Sequence, residues 1–232
     1  MNNYIDNEKK IEILYEDEHI LVCVKPAGVL SQSNRIMDRD MVSMCRNYLA
    51  AKGENSYIAI INRLDRPVEG ITLFAKNNKS AAVLSKAMRE HDFCKFYRAD
   101  VYVQNENMRR AIADNEYEGR EIVLENYLIS DKRENKTFIA GNGDDRAKYA
   151  KLTYRISDYD RALCVAKLDV ELFTGRHHQI RAQLANAGMP IVGDVRYGYD
   201  GDVKCAKGTL KLCAVRLEIK HPATGKSMIF TL

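Results

Sequence analysis

The sequence predicts an α+β fold built as a single mixed domain, and three observations support that class. Short apolar runs recur along the chain, and several alternate with polar residues as half-buried strands do. Three other segments, residues 41–49, 78–88 and 176–187, space their apolar residues as helices do. The 232 residues contain no internal repeat or linker and are enough to bury one core. We expect residues 1–10 to be a flexible polar lead and residues 11–232 to be the domain.

The composition excludes several classes of protein. Hydrophobic residues make up 46% of the chain and charged residues 29%, which is typical of a soluble globular domain. The formal net charge of +4 is compatible with an RNA partner but does not by itself predict one. No apolar run approaches the roughly 20 residues of a membrane-spanning helix. The six cysteines form no C-x-x-C pair, so we expect no zinc site and a reduced, cytoplasmic protein.

The first half of the chain is predicted to alternate strands with two helices. The first helix, near residues 41–49, has Asp40 as its cap and Gly53 as its stop, and the second begins at Asn78. Residues 104–119 are polar, which indicates a surface connection that can include a short helix. The strands are predicted at residues 11–17, 20–25, 57–61, 71–75 and 96–103.

The second half is predicted to be a strand meander with one more helix. A long strand at residues 162–170 leads through residues 174–175 into a helix at residues 176–187. That arrangement puts Arg176 and free backbone N–H groups at a helix N-terminus, which favours a bound phosphate. The other strands are predicted at residues 122–129, 137–140, 149–156, 210–220 and 228–232, with a loop at 141–145 and a hairpin turn at 221–226.

A polar segment at residues 62–70 joins two apolar runs and carries the carboxylate of Asp65 between Arg63 and Arg66. Two interpretations of this segment are open. Asp65 can be a loop carboxylate paired with a neighbouring arginine, a contact that contributes little stability when it is exposed. Alternatively, guanidinium groups keep Asp65 ionised so that it can act as a nucleophile or a base.

Further motifs on either side of this segment favour the second interpretation. The motifs are Val-Lys-Pro-Ala-Gly at 24–28, Arg-Leu-Asp-Arg at 63–66, Lys-Phe-Tyr at 95–97, Phe-Thr-Gly-Arg-His-His-Gln-Ile-Arg at 173–181 and Pro-Ile-Val-Gly-Asp at 190–194. In this order and at this spacing, the chain resembles the RluA-type family of RNA pseudouridine synthases from about residue 11 to residue 230. The family usually has His before Arg-Leu-Asp-Arg and Thr-Ser after it, whereas this sequence has Asn62 and then Val68 and Glu69.

The resemblance implies a large, mainly antiparallel curved sheet with flanking helices and a central active-site cleft, the pseudouridine synthase fold. It implies an isomerase that converts a specific uridine in ribosomal or transfer RNA to pseudouridine without a cofactor or a metal. The expected partner is RNA, with no membrane or DNA partner, and the expected state is a monomer. Many relatives carry a small RNA-binding domain ahead of the catalytic one. This sequence leaves no room for it, so we expect RNA recognition to rest on the catalytic domain or on a partner.

The resemblance also assigns roles around the carboxylate. Asp65 is the expected catalytic residue, and whether it attacks covalently or removes a ribose proton stays open. Arg181 is its expected ion-pair partner, and Arg176 is the less favoured candidate. An arginine suits this role because it stays protonated and can pair with both carboxylate oxygens.

The other expected site residues contact the substrate. By resemblance, Tyr97 packs against the target base and Ile180 forms an apolar floor opposite it. Arg63, Arg66 and Lys25 are expected to line the cleft for RNA phosphates. For Lys25, the alternative is that its motif simply ends a strand.

Two other functions are kept as alternatives. A nucleoside or glycoside hydrolase usually needs a second carboxylate as general acid, and Glu69 is the nearest one in the sequence. The altered residues after Arg-Leu-Asp-Arg suggest instead an RNA-binding relative that has lost catalysis. The pair His177 and His178 does not predict a metal site, because adjacent helical side chains diverge and no other ligands complete a set.

Overall fold

The computed structural model describes residues 11–33, 39–141, 144–204 and 209–232, so the expected lead at 1–10 and part of the loop at 141–145 lie outside the described residues. Its strands are β1 Glu12–Glu16, β2 Ile20–Lys25, β3 Ala59–Ile60, β4 Glu69–Ala75, β5 Cys94–Tyr102, β6 Ile122–Asp131, β7 Lys136–Ile139, β8 Lys148–Asp160, β9 Val165–Leu172, β10 Leu212–Lys220 and β11 Ser227–Thr231. Its helices are α1 Met41–Ala51, α2 Asn78–Arg89, α3 Glu106–Ala113 and α4 Gln179–Asn186, and a 3₁₀ turn spans Val195–Tyr197.

All the described strands belong to one sheet. From edge to edge they follow the order β1-β2-β4-β10-β5-β9-β8-β6-β7, with β3 also paired to β4 and β11 to β10. Every pairing is antiparallel except the short one between β4 and β10. The predicted α+β class and the large, mainly antiparallel sheet are therefore confirmed. No helix in the described part of the chain is long and apolar enough to cross a membrane.

Strand β2 is buried on both faces, which explains its continuous apolar sequence. Ile20 and Val22 pack in one apolar cluster with Leu84 of α2. Leu21 and Cys23 point the other way, into a second cluster with residues of α1. A third cluster joins β5, β8 and β9 to α4. The helices thus cover the sheet from both sides and leave its middle for the site described below.

Several strands are shorter than predicted, and two of the differences are instructive. The run at residues 57–61 pairs with β4 only over the two residues of β3. The strand predicted at 162–170 begins at Val165, because the Asp160 carboxylate accepts hydrogen bonds from the backbone N–H groups of residues 162 and 163. An aspartate that satisfies its own following backbone in this way closes a turn instead of extending a strand.

The N-termini of α1 and α2 lie where the sequence predicted them, whereas the N-terminus of α4 does not. The Asp40 side chain accepts a hydrogen bond from the backbone of Ser43 and so caps α1 as predicted. The helix predicted at residues 176–187 begins at Gln179, because His178 adopts a left-handed φ of 49° that interrupts helical geometry. The prediction that Arg176 lies at a helix N-terminus is therefore wrong.

The two halves of the sheet meet where β4 runs parallel to β10. Cys213 pairs with Glu69 and Ala214 with Gly70 at this junction. Gly70 has a φ of 121°, and a Cβ there would lie 2.4 Å from the carbonyl oxygen of Ala214. Only glycine allows so close an approach of the two backbones. Because Asp65 precedes β4 by a few residues, the junction holds its loop at the centre of the sheet.

Substitution of Gly70 by alanine should therefore destabilise the fold. Gly70→Ala adds both backbone strain and a forced separation of β4 from β10, and each effect costs about 1–3 kcal/mol. We expect a clearly lower midpoint of thermal unfolding. Gly141→Ala is the matched control, because no atom lies within 4 Å of the Cβ it would add. Equal unfolding midpoints for the two variants would contradict this account of the junction.

Candidate active site

A cleft of about 1390 Å³ opens between the loop at residues 61–68, the start of β5 and the segment that leads into α4. Small-molecule pockets span roughly 300–1,000 Å³, so this cleft is large enough for a nucleotide with part of the chain that carries it. Of the eight residues that the sequence placed at the site, all but Lys25 line it; the seven are Arg63, Asp65, Arg66, Tyr97, Arg176, Ile180 and Arg181.

The centre of the cleft is an arginine held by two carboxylates. Arg181 donates from Nε and Nη2 to the two oxygens of Asp194, at 2.7 and 2.8 Å, and from Nη1 to Oδ2 of Asp65 at 3.2 Å. Burial lowers the pKa of Arg181, but the bonds to Asp194 and the charge of Asp65 outweigh it and raise the pKa above its ordinary value. The guanidinium therefore stays charged. Of the two arginines considered for Asp65, Arg181 makes the contact.

Backbone and side-chain hydrogen bonds fix the loop that carries Asp65. The hydroxyl of Ser31 donates to the carbonyl of Leu64 at 2.6 Å and accepts from its N–H at 3.0 Å. The side chain of Asn62 donates to the carbonyl of Ile71 and accepts from the N–H of Leu73, so it continues the pairing of β3 with β4. Asn62, where the family pattern has His, is thus a buried structural residue.

The structure contradicts the expected role of Lys25. Its side chain is fully buried, and its ammonium donates to the carbonyls of Pro26, Val29 and Arg66 at 2.7–3.2 Å. Burial lowers the pKa of Lys25 to about 8. With its donors used inside the protein, Lys25 ties the 26–29 turn to the Asp65 loop and does not line the cleft for phosphates. A motif places a lysine in sequence, but it does not indicate which way the ammonium points.

Tyr97 and Ile180 supply apolar surface near Asp65. Tyr97 lies on β5, between Ala214 of β10 and Val170 of β9, and is 8% exposed. Burial and the nearby charge of Asp65 raise the pKa of the Tyr97 hydroxyl, so the phenol stays protonated. Ile180, on the first turn of α4, is 5% exposed and lines the same cleft.

The arginines around the cleft differ in how many of their donor groups are already hydrogen-bonded within the protein. Arg63 is exposed and forms no ion pair within the described residues. Arg66 is also exposed and donates from Nε to the carbonyl of Gly28 at 3.0 Å. Arg176 donates from Nε to the carbonyl of Tyr149 at 2.9 Å, and the Gln179 side chain accepts from its backbone N–H. The predicted free N–H groups at Arg176 are therefore partly used.

The expected divergence of His177 and His178 is wrong. Their rings stack, with centroids 3.8 Å apart, because His178 lies before the helix in a left-handed conformation. His178 is buried, and its Nε2 lies 3.5 Å from Oδ2 of Asp65. Burial, followed by the charges of Arg181 and His177, lowers the pKa of His178 to about 3. The imidazole is therefore neutral and reaches the central carboxylate.

Sequence reasoning missed three residues that bear directly on this geometry. Asp194 belongs to a quoted motif but received no role, although a carboxylate beside a cleft arginine is a natural partner for it. His178 was weighed only as a metal ligand. Tyr197, whose ring lies 5.0 Å from the Arg181 guanidinium, follows in a turn-rich segment with no periodic pattern. The matched motifs at 173–181 and 190–194, which contain His178 and Asp194, were the indications that the sequence offered.

Comparison with known proteins identifies the family to which this chain is related. Residues 19–186 match the family model described as RNA pseudouridylate synthase. The "Ribosomal large subunit pseudouridine synthase C" of Yersinia pestis is 30% identical over 221 residues, which cover 93% of this chain and 63% of the relative. The "tRNA pseudouridine synthase C" of Yersinia pestis is 29% identical over 233 residues, or 95% of this chain and 85% of the relative. The chain thus spans less than two thirds of the ribosomal relative.

A solved structure supports the fold independently. "Human RNA Pseudouridylate Synthase Domain Containing 1" superposes with a TM-score of 0.72 at 18% identity, covering 96% of this chain and 82% of that one. At that identity the likeness concerns the fold alone. The family match covers most of the chain and includes the Asp65 loop, β5 and α4. The chain belongs to the RNA pseudouridylate synthase family.

Proposed function

We propose that this protein isomerises a uridine in RNA to pseudouridine, with Asp65 as the catalytic carboxylate. The observation that carries the proposal is the arrangement in which Arg181, fixed by Asp194, holds Asp65 in a large cleft beside Tyr97 and Ile180. Pseudouridine formation breaks the N1–C1′ bond of uridine, turns the base and joins C5 to C1′. Each function that this reaction needs has a candidate among these side chains.

Asp65 is suited to act on the sugar or on the base. It is 27% exposed, so the carboxylate is accessible from the cleft while Arg181 contacts it from the protein side. A charged arginine beside the carboxylate complements its negative charge and orients it through a charge-assisted hydrogen bond. Because Asp194 occupies Nε and Nη2 of Arg181, the remaining Nη1 is directed to Asp65. Because Arg181 uses two donors on Asp194 and one on Asp65, we infer that it is the residue that orients the Asp65 carboxylate.

Tyr97 and Ile180 are suited to hold the base while it is detached. A uracil needs a flat surface on which it can turn without leaving the site, and aromatic and aliphatic side chains provide such surfaces. The target uridine has to leave its stack to reach this depth. The protonated Tyr97 hydroxyl adds no charge to compete with Asp65.

The charge of the cleft supports RNA as the substrate. Six cations line it within the described residues, against two carboxylates, Asp65 and Asp194, that are both bound to Arg181; the cations are Arg63, Arg66, Lys95, Arg176, Arg181 and Arg196. Lys95 is 7% exposed, burial lowers its pKa, and it forms no ion pair in the described part of the chain. A buried ammonium without a counter-charge is costly, and an RNA phosphate would relieve that cost.

Among the residues that the structure describes, the cleft offers the hydrolase alternative no suitable second carboxylate. Glu69 is exposed and is not among the cleft-lining residues. Asp194 does line the cleft, but it is 2% exposed and both its oxygens accept from Arg181. A general acid must reach the leaving group, and both oxygens of Asp194 are already occupied by the guanidinium. The geometry therefore supports isomerisation over hydrolysis. Ribosomal and transfer RNA, named for the two relatives above, are the candidate substrates.

The direct test is the substitution of Asp65. Asp65→Asn keeps the shape of the side chain but removes its charge, so we expect no detectable pseudouridine after incubation with total ribosomal and transfer RNA. The measurement is site-resolved mapping of pseudouridine, together with an assay for released uracil. Asp158→Asn is the control, because Asp158 pairs with Lys167 on exposed strands away from the cleft. Turnover by Asp65→Asn, or uracil release by the unaltered protein, would refute the proposal.

A second test addresses the division of donors at Arg181. Arg181→Lys keeps a charge for the buried Asp194 but cannot contact both carboxylates with fork geometry. We expect a single-turnover rate lower by about 100-fold, the scale of losing one preorganised electrostatic contact, with RNA affinity little changed. Arg176→Lys is the matched control and should retain most of the rate. Comparable rates for both variants would show that Arg181 does not serve Asp65.

A third test concerns phosphate binding. Arg63→Gln should weaken RNA binding and reduce the slope of log affinity against log salt by about one, since one phosphate contact is lost. Fluorescence titration over a range of salt concentrations measures both quantities. Arg155→Gln, which removes another exposed arginine that pairs with Glu121, is the control. An unchanged salt slope for Arg63→Gln would remove Arg63 from the RNA interface.

A further inference from the structure

His178 connects Asp65 to a tyrosine on the opposite side of its ring. Its Nε2 lies 3.5 Å from Oδ2 of Asp65, and its Nδ1 lies 3.0 Å from the hydroxyl of Tyr197. The ring is 7% exposed and is enclosed by His177, which stacks on it, and by Tyr197, which meets it at 79°. The imidazole therefore has little freedom to turn.

The backbone determines which ring nitrogen carries the proton. The N–H of Thr137 donates to the Tyr197 hydroxyl oxygen at 2.7 Å, so the hydroxyl directs its own proton elsewhere. The Thr137 side chain also hydrogen-bonds Tyr197, and the ring nitrogen Nδ1 of His178 lies 3.0 Å from the hydroxyl, where it can accept the proton. A neutral imidazole has one donor and one acceptor nitrogen. If Nδ1 accepts from Tyr197, Nε2 carries the hydrogen and presents it to Asp65.

The surrounding charges favour a neutral ring. The charges of Arg181, His177 and Arg196 disfavour protonation of the His178 ring, whereas the charge of Asp194 favours it. Asp65 also lies beside it, but burial and the arginines prevail, and the pKa of His178 is lowered to about 3. At neutral pH the ring is therefore uncharged, and its Nε2, 3.5 Å from Oδ2, can present an N–H to Asp65 without adding a charge that would compete with Arg181.

We propose that His178 is a positioning residue that, held as its Nε2–H tautomer by Tyr197, donates to Oδ2 of Asp65 and leaves Oδ1 to face the substrate. Arg181 contacts the same oxygen, Oδ2, at 3.2 Å. Two donors on one oxygen fix the plane of the carboxylate. No hydrogen bond within the described residues ends on Oδ1, so that oxygen is the one available for attack or for proton removal. This inference rests on the proposed function of Asp65.

The tautomer can be measured without any enzymatic activity. Two-bond nitrogen–proton correlation spectra of isotope-labelled histidine distinguish Nε2–H, Nδ1–H and imidazolium forms. We expect the Nε2–H form for His178 at neutral pH, with the signal assigned by its loss in a His178→Asn variant. In Tyr197→Phe the donor to Nδ1 is gone, so the tautomer preference should weaken. An Nδ1–H ring or an imidazolium in the unaltered protein would overturn the proposal even if turnover is normal.

Kinetics then test whether the hydrogen bond serves the reaction. His178→Gln can extend an amide N–H to the position of Nε2, whereas His178→Asn is too short to reach Asp65 but tolerates the left-handed backbone better. If His178 acts as a donor, Gln should keep more of the single-turnover rate than Asn. The Asn variant should lose about 10- to 100-fold, as expected for one hydrogen bond to a charged group. If His178 only supports the fold, Asn should equal or exceed Gln, and the proposal fails.

A remote histidine provides the matched control. His221 is also buried and contacts a carboxylate, with Nε2 2.8 Å from Oδ2 of Asp17. His221→Gln should lower the unfolding midpoint but leave the single-turnover rate unchanged, and RNA affinity should be equal in all these variants. A rate loss in His221→Gln as large as that in His178→Asn would mean that the assay reports stability. If the unaltered protein makes no pseudouridine, the proposed function fails, while the tautomer measurement still stands.

Discussion

The site depends on the buried ion pair between Arg181 and Asp194. Both partners are at least 95% buried, and two hydrogen bonds align the guanidinium with the carboxylate. Breaking such a pair leaves an uncompensated buried charge, which costs about 3–5 kcal/mol, so the arrangement is hard to disturb. It also determines the direction of Nη1 and therefore the position of Asp65. A reaction centre on a loop is thus oriented by an arginine 116 residues away.

The close contact of β4 with β10 is the second constraint. The Asp65 loop belongs to one half of the sheet, whereas Arg181 follows β9 in the other half. The two halves are joined only by the short parallel pairing at Gly70 and Ala214. Without a glycine at position 70, the backbones could not approach closely enough for this pairing. The distance between Asp65 and Arg181 therefore depends on packing that lies outside the cleft.

The departures from the usual family pattern lie in structural positions. The buried Asn62 side chain hydrogen-bonds two backbone groups of β4, donating to the carbonyl of Ile71 and accepting from the N–H of Leu73. Val68 is 3% exposed and packs in the large core cluster, while Glu69 is exposed at the start of β4. Val68 donates its backbone N–H to the carbonyl of Asp65 at 3.0 Å, and within the described residues no hydrogen bond or ion pair joins any of the three to the Asp65 carboxylate. They change how the loop is supported and leave the Arg181–Asp65 contact in place.

The sequence alone determined the fold class, the strand-rich order, the Asp40 cap and a set of residues that line one cleft. These follow from periodicity, local capping and motifs, which depend on neighbouring residues. The tertiary structure decided what a side chain does once packed. The ammonium of Lys25 donates to backbone carbonyls inside the protein. Arg181 donates to both Asp194 and Asp65, and His178 lies just before α4, within 3.5 Å of the Asp65 carboxylate. A polar residue type is compatible with a cleft or with a buried network, and only long-range packing, which fixes its direction, distinguishes the two.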